Sequence, residues 1–406
     1  MTPMRPTHLL VGFAEALAAP ESIWSLADAG FRLTAFSRRG TRPPIRHFPG
    51  VDVVEVTSPE TDWHSTLADI AALASTTRAD ALMPFDDEAV WVCSALADQT
   101  AATVVGPVGD QAVFALDKRK QMAGARAAGL HVPDTIELDS ATSIEDSIDR
   151  LPYPVVVKRA LAAGAAEAGL VRVPTVICAS PGELRMAIRH ASPSQPMLVQ
   201  PWIRGTGEGI FGLVAGCGIA AVSGHRRIRM VDPHGSGSSA CRSTTPDPDL
   251  VACVERMLVD VGWRGLFMVE FLHSDTDVWF TEVNGRPWGS MALARRLGLE
   301  YPAWAASERL FGETSFGPPA TVPELTCRHL GFEIAHVLAV MKGPRTDGIA
   351  FPSRLETLRA VARVRSTDRW YNLRPGYRRI FLEDAFRTGS APLKSRLLKL
   401  RPVARR

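Results

Sequence analysis

Short apolar runs alternate with amphipathic stretches through the first hundred residues. The apolar runs are too short to be buried helices, so they predict strands. These strands cover residues 8–12, 31–37, 51–56 and 81–85. Apolar residues recur at helical spacing over 21–29, which Gly30 ends, and over 63–76. Strands and helices that alternate in this way predict a doubly wound α/β unit with a parallel sheet.

The edge of this predicted sheet has no dinucleotide signature. No G-x-G-x-x-G sequence follows any of its strands. Asp86, Asp87 and Glu88 do follow a strand end, where ligands often bind in such sheets. We interpret them instead as charges that the dipole favours at a helix N-terminus.

From about residue 112 the pattern changes to helices mixed with antiparallel strands. A helical stretch at 113–128 ends at Gly129, and Pro133 prevents its continuation. Further strands are predicted at 152–160, 170–177, 197–203 and twice within 210–231, with helices at 181–191 and 248–261. The Gly- and Ser-rich residues 234–243 (HGSGSSACRS) predict a loop. The pattern is that of an α+β unit.

Two glutamates lie on apolar strands in a predicted hairpin at 267–284 (FMVEFLHSDTDVWFTEVN). If the turn centres near Thr276, Glu270 and Glu282 face each other, and such like charges repel unless a cation lies between them. Glu282 and Asn284 are two residues apart and project from one strand face. Three hard oxygen ligands suit Mg²⁺, and removal of one carboxylate is expected to relieve repulsion. Two strand-end glutamates that face solvent remain the alternative when the hairpin is considered alone.

Length and composition indicate a globular protein of two or three domains. A chain of 406 residues exceeds one ordinary core, and no apolar run is long enough to span a membrane. The first twenty residues resemble a secretory signal only loosely, because Glu15 interrupts the apolar run. An opening strand and helix explain them better. Six cysteines without close pairs indicate neither a metal site nor a disulfide framework, and they predict a cytoplasmic protein.

Positive charge is concentrated at the C-terminus. Residues 374–406 contain ten basic and two acidic residues, although the whole chain carries only +3. Leu393, Leu397 and Leu400 fall on one helical stripe among basic residues, which predicts a short basic amphipathic helix. It is interpreted either as a solvated terminal helix or as a peripheral contact for an anionic membrane or an acidic partner. Interleaved aromatic residues are missing, so no nucleic-acid partner is predicted.

Polar side chains along the middle of the chain match the needs of ATP chemistry. The phosphates need cations, a bridging metal and a cover that excludes water. The chain offers, in order, Lys118 and Lys158 for phosphates, the loop 161–169 as cover, Gln200 and Glu208 for adenine and ribose, and Arg227 and Arg286 for phosphate oxygens.

This order of motifs resembles the ATP-grasp superfamily of carboxylate–amine ligases. The matching residues are Asp117 and Lys118, Lys158 in VVVKRA, Gln200 and Glu208 in VQPWIRGTGEG, His225 and Arg227 in HRRIR, Glu270 in MVEF, and Glu282, Asn284, Arg286 and Ser290 in TEVNGRPWGS. The resemblance spans residues 1–310. It implies a parallel-sheet α/β domain at 1–112, a two-lobed ATP-grasp fold at 113–310 and a C-terminal appendage at 311–406.

The resemblance also implies a reaction. In that family ATP phosphorylates a carboxylate, and an amine then attacks the acyl phosphate, which leaves ADP and phosphate. Lys118, Lys158, Gln200 and Glu208 would bind ATP; Glu270, Glu282 and Asn284 would hold one or two Mg²⁺ (or Mn²⁺) ions; Arg286 and Arg227 would stabilise the transferring phosphoryl group. The expected partners are a small-molecule carboxylate and amine, and a homo-oligomer is left open.

Two departures from the family pattern keep a second interpretation open. The covering loop is mostly alanine, with only Gly164 and Gly169, and Pro201 stands where an acidic residue is frequent. They leave open an ATP-binding protein with a regulatory or scaffolding role and little turnover. His225 is interpreted either as a plain strand residue or as part of the site. Arg242 and Ser290 are the candidates for substrate contact.

Overall fold

The computed structural model describes residues 6–140, 144–166, 169–170, 175–189, 191–192, 194–216, 218–235, 237–317, 323–344 and 350–399, with only the backbone for 165–166, 169 and 391–399. These residues form three sheets of four or more strands, together with one two-stranded ladder.

The first hundred residues form the predicted parallel sheet. Its elements are β1 (His8–Gly12), α1 (Ala19–Asp28), β2 (Arg32–Arg38), a 3₁₀ turn (Pro44–His47), β3 (Asp52–Val56), α2 (Trp63–Thr77), β4 (Ala81–Pro84), α3 (Asp87–Leu96) and β5 (Thr103–Val104). All strand pairs are parallel, in the order β3-β2-β1-β4-β5. Strand β1 is buried along its whole length because helices cover both faces of such a sheet. The doubly wound α/β prediction is confirmed.

A small antiparallel sheet follows. Its elements are α4 (Asp110–Leu116), α5 (Lys118–Ala127), β6 (Ile136–Leu138), a 3₁₀ turn (Ile148–Arg150), β7 (Val155–Arg159), β8 (Ala165–Ala166), β9 (Gly169–Leu170), β10 (Val176–Cys178), α6 (Pro181–Ile188) and β11 (Met197–Pro201). The prediction of one helical stretch at 113–128 is wrong, because Asp117 is extended and its carboxylate caps α5 at the Arg119 N–H. Lys118 is therefore the first residue of a new helix.

The remaining residues build a seven-stranded central sheet and its helices. The elements are β12 (Thr206–Ala215), β13 (Gly218–Met230), β14 (Ser238–Thr244), α7 (Pro248–Asp260), β15 (Gly265–His273), β16 (Val278–Asn284), α8 (Met291–Arg296), α9 (Tyr301–Phe311), β17 (Thr326–Arg328), α10 (Leu330–Lys342), α11 (Arg354–Ala362), β18 (Asp368–Trp370) and α12 (Arg378–Lys399). The strand order is β16-β15-β12-β13-β14-β17-β18.

Two features of the central sheet differ from the sequence expectation. The predicted loop 234–243 contains most of β14, because β13 and β17 pair with it on both sides and satisfy its backbone groups. Strands β17 and β18 lie beyond residue 311, where the appendage was expected to begin, and they continue the central sheet. The domain boundaries themselves stay predictions.

One hydrophobic core joins the parallel sheet to the central sheet. It contains Trp24 of α1, Phe211 of β12, Trp288 and Tyr301, together with Tyr371 after β18. A second core, around Phe267 and Met257, packs α5 and α7 against the opposite face of the central sheet. The edge of the parallel sheet is thereby held next to the turn that follows β16.

The C-terminal helix α12 includes the backbone of residues 393–399, in the segment predicted to be helical. The side chains of Leu393 and Leu397, and all of Leu400, lie outside the described residues. Within the described part of the chain, no helix combines the length and apolar character needed to cross a membrane.

Candidate active site

The two glutamates of the hairpin face each other. Strands β15 and β16 pair Glu270 with Glu282, and the turn closes where the Ser274 N–H donates to the Asp277 carbonyl. Asn284 lies two residues from Glu282, on the same face. The register is the predicted one, and it brings three oxygen-bearing side chains to one end of the sheet.

A cation lies against each of these carboxylates. Lys118 Nζ is 2.6 Å from Glu282 Oε2, and Arg227 Nη2 is 2.6 Å from Glu270 Oε1. The Lys118 ammonium holds the pKa of Glu282 well below its usual range, against the opposing effect of burial. Burial would lower the pKa of Lys118, but its ion pair with Glu282 outweighs this effect and raises it. The negative charge of each glutamate is thus compensated by a neighbouring cation.

Lys158 adds a second ammonium to the cluster. It lies on β7, opposite Leu198 of β11, so the strand fixes its position. Burial, reinforced by the nearby Lys118 charge, lowers the pKa of Lys158 to about 8. An ammonium with a depressed pKa lacks a full counter-charge and favours an anionic ligand.

Arg286 connects this cluster to the parallel sheet. Its Nε donates to Asp87 Oδ1 at 2.9 Å, and its Nη2 donates to Asn284 Oδ1 at 3.0 Å. Burial opposes its charge, but Asp87 outweighs burial and raises the pKa of Arg286. Asp87 belongs to the first turn of α3, as the helix-terminus interpretation predicted, and Asp86 caps that helix at the Ala89 N–H. Asp87 therefore has an additional contact that the sequence did not indicate.

These side chains surround a cavity of about 1240 Å³ between the small antiparallel sheet and the central sheet. We call it the central cavity. Nine predicted site residues line it: Lys158, Gln200, Glu208, Arg227, Glu270, Glu282, Asn284, Arg286 and Ser290. Lys118 reaches the same cluster through Glu282.

Comparisons with known proteins give fold relatives only. No protein-family model and no curated protein matches the chain. Among solved structures, an L-amino acid ligase from Bacillus licheniformis is 17% identical with a TM-score of 0.59, covering 76% of this chain and 75% of that one. The ADP complex of purK, an N5-carboxyaminoimidazole ribonucleotide synthetase, is 12% identical with a TM-score of 0.62, covering 88% and 96%. The biotin carboxylase domain of Hydrogenobacter thermophilus 2-oxoglutarate carboxylase is 16% identical with a TM-score of 0.60, covering 79% and 72%.

The chain has the ATP-grasp fold. The predicted site residues meet around one cavity, although identity to these structures is low. The small antiparallel sheet and the central sheet are the two lobes of the ATP-grasp fold, and the central cavity lies between them.

Gln200 and Glu208 also line the central cavity. The Gln200 amide donates to Thr135 Oγ1 at 2.7 Å, which fixes the orientation of this side chain. Glu208 pairs with Arg226 and lies 3.5 Å from His273. Glu208 is adjacent to Gly209, the partner of Glu270 in the ladder, so the two carboxylates leave opposite faces of the sheet.

Arg242 is the one predicted substrate residue that the fold places elsewhere. Its neighbour Cys241 lines the cavity, and successive residues of a strand face opposite sides. Its guanidinium lies 3.3 Å from Glu324 instead. Arg242 belongs to strand β14, and an extended strand fixes the side to which a side chain points. A loop would have left that direction free.

Two residues of the site were not indicated by the sequence: Tyr371, which lines the cavity, and Asp87, which holds Arg286. The Tyr371 hydroxyl is 2.8 Å from Cys241 Sγ, and Tyr371 forms part of the cavity wall from beyond β18. No motif surrounds it, so only the pairing of β18 with β17 reveals its position.

The candidate metal ligands are Glu270, Glu282 and Asn284. Among the described residues no group of three or more His, Cys, Asp and Glu side chains forms a metal cage. Two carboxylates and one amide are still an appropriate set for Mg²⁺, which commonly uses one or two carboxylates and completes its shell with water and substrate phosphates. The donors therefore fit a metal that arrives with a nucleotide.

Proposed function

We propose that the protein is an ATP-dependent ligase that joins a carboxylate to an amine and forms ADP and phosphate. The observation that carries the proposal is that Lys158 and the facing pair Glu270 and Glu282 line one cavity, and that Lys118 contacts Glu282 there. The ATP phosphates need the two lysines, and the metal that accompanies them needs the two glutamates.

In the proposed reaction a carboxylate oxygen attacks the γ-phosphorus, and the bond to the bridging oxygen of ADP breaks. The amine then attacks the acyl carbon, the bond to phosphate breaks, and the nitrogen loses a proton. Mg²⁺ held by Glu270, Glu282 and Asn284 would neutralise the phosphates when bound. Arg286, kept in place by Asp87, would stabilise charge on the transferring group together with Arg227.

The lysines would bind the ATP phosphates, and the nucleoside would lie toward Gln200 and Glu208. Pro201 has no N–H, so adenine would pair with neighbouring backbone such as Trp202 or Ile203. Two of the fold relatives are ADP and MgADP complexes, which supports this use of the cavity. The biotin carboxylase domain among them is a dimer, which is compatible with a homo-oligomer here. The free cysteines among the described residues are compatible with the proposed cytoplasmic location.

A substrate screen tests the proposal. ADP release is measured with the proteinogenic amino acids and bicarbonate as carboxylates, each crossed with amines, at saturating MgATP. ADP release that requires both a carboxylate and an amine supports the ligase. Tight MgADP binding without turnover across the panel supports instead the regulatory or scaffolding alternative, and product analysis by mass spectrometry identifies the new C–N bond.

A further inference from the structure

His225 is a buried imidazole beside the proposed metal site. It lies on β13, two residues before Arg227 and therefore on the same strand face. Gly209 of β12 pairs with His225 on one side and with Glu270 on the other, so the histidine and the carboxylate flank a position without a side chain. The His225 residue is 3% exposed, and its ring stacks on Phe211 with 4.2 Å between centroids.

The two ring nitrogens of His225 have different surroundings. Nδ1 lies 2.8 Å from Ser290 Oγ. Nε2 is buried and has no hydrogen-bond partner among the described residues. Burial lowers the pKa of His225 to about 3, so the ring is neutral and only one nitrogen carries hydrogen.

The absence of a partner for Nε2 decides which ring nitrogen of His225 carries the hydrogen. Hydrogen on Nε2 would bury an unused donor, whereas a bare Nε2 leaves only an unused acceptor. Buried donors without partners are the rarer of the two in proteins. We therefore assign the hydrogen to Nδ1, which donates it to Ser290 Oγ. The Ser290 hydroxyl then has no acceptor in His225 and its own hydrogen is available to the central cavity, which Ser290 lines.

We propose that Ser290, oriented by His225, donates a hydrogen bond to the carboxylate group of the substrate. The inference rests on the proposed ligase function and adds the group that recognises the acid. Ser290 lies four residues after Arg286, in the segment that connects β16 to α8, and both residues line the central cavity. The carboxylate would therefore lie near the guanidinium that is proposed to stabilise the transferring phosphoryl group. His225 is a positioning residue and exchanges no proton with the substrate.

The test uses the full chain and the amino acid that gives the fastest ADP release in the screen. Ser290→Ala should raise the KM for that amino acid about ten- to a hundredfold, the range for a lost bond to a charged group, and leave the Kd for MgADP unchanged. Ser238→Ala is the matched control. Ser238 lines the same cavity, but its hydroxyl donates to the Ala240 carbonyl at 2.7 Å, so its loss should not change that KM.

Two substitutions of His225 separate orientation from packing. An asparagine amide reaches the place of Nδ1, whereas a glutamine amide reaches the place of Nε2. His225→Asn should therefore retain a low KM for the amino acid, and His225→Gln should resemble Ser290→Ala. Equal effects of both substitutions, with a common loss of thermal stability, would reduce His225 to a packing residue and overturn the proposal.

A measurement without turnover tests the tautomer. Long-range ¹H–¹⁵N correlations of the histidine rings, assigned with His225→Gln, should show hydrogen on Nδ1. Hydrogen on Nε2 contradicts the inference. Active wild-type enzyme with an unchanged KM in Ser290→Ala overturns the inference alone, whereas a wild type that releases no ADP with any carboxylate overturns the proposed function as well.

Discussion

Lys118 Nζ and Glu282 Oε2 lie 2.6 Å apart, although the two residues are 164 positions apart in the chain. In the proposed reaction the lysine binds phosphate and the glutamate binds the metal. Each group therefore neutralises the other until a nucleotide and its metal bind together. Lys118 then pairs with phosphate and Glu282 with the metal. Breaking the pair for one ligand alone would leave a poorly compensated charge.

Substitution of Lys118 should change the affinity for the metal and the affinity for the nucleotide in opposite directions. In Lys118→Met, Mn²⁺ should bind about tenfold more tightly without nucleotide, because its competitor for Glu282 is absent, while MgATP should bind less tightly. Electron paramagnetic resonance measures free Mn²⁺, and calorimetry measures the nucleotide. Lys120→Met, at an exposed position of the same helix, is the control. Weaker Mn²⁺ binding in Lys118→Met would contradict this account.

Glu282→Ala should abolish metal-dependent turnover and retain the fold. The sequence alone suggested that removing one carboxylate relieves repulsion, but the structure pairs Glu282 with Lys118. Its loss therefore leaves an ammonium without its partner, and the free energy of unfolding should fall by about 1–3 kcal/mol. Thermal denaturation and ADP release measure the two effects. Normal turnover would refute the assigned role.

ATP affinity should depend on the protonation of Lys158. Its pKa is lowered to about 8 in the ligand-free protein, and bound phosphates would raise it. Affinity is therefore highest below about pH 8 and falls as the pH rises above it, by at most about tenfold per pH unit for one proton. Calorimetry with a non-hydrolysable ATP analogue measures this dependence. Lys158→Arg should remove most of it, because arginine stays protonated; an identical slope in that variant would assign the dependence to another group.

Asp87→Asn should lower kcat about tenfold or more, with little change in MgADP affinity. The substitution removes the charge that holds Arg286, and loss of alignment at a reacting centre lowers the rate more than it lowers binding. Steady-state kinetics and calorimetry make the comparison. Asp87→Glu, which retains the charge, should recover part of the rate, whereas a uniform loss in both variants would indicate damage to α3.

Truncation after Ser390 should weaken binding to anionic vesicles, if the basic tail is a membrane contact. The segment removed contains the leucine stripe and six basic residues. Co-sedimentation with vesicles that contain phosphatidylglycerol measures binding, and phosphatidylcholine vesicles are the control. Equal sedimentation of the truncated and full chains would favour the solvated terminal helix.

The sequence predicted the parts of the site that depend on local geometry. Strand alternation and a turn near Thr276 were enough to pair Glu270 with Glu282. Contacts between distant elements were not predictable in this way, such as Asp87 with Arg286 or the position of Tyr371. The prediction of a loop around Arg242 was wrong for a related reason: glycine and serine favour a loop, but two neighbouring strands override that preference.

Strand β17 covers the edge of β14, and β18 covers β17 in turn. A chain that stopped at residue 311 would present β14 with a row of unpaired N–H and C=O groups, and sheets of separate molecules join through such edges. Chains that end at residue 311 should therefore precipitate before their chemistry can be measured. The residues beyond 311 therefore shield the edge of β14 from pairing with another molecule, whatever substrate the protein uses.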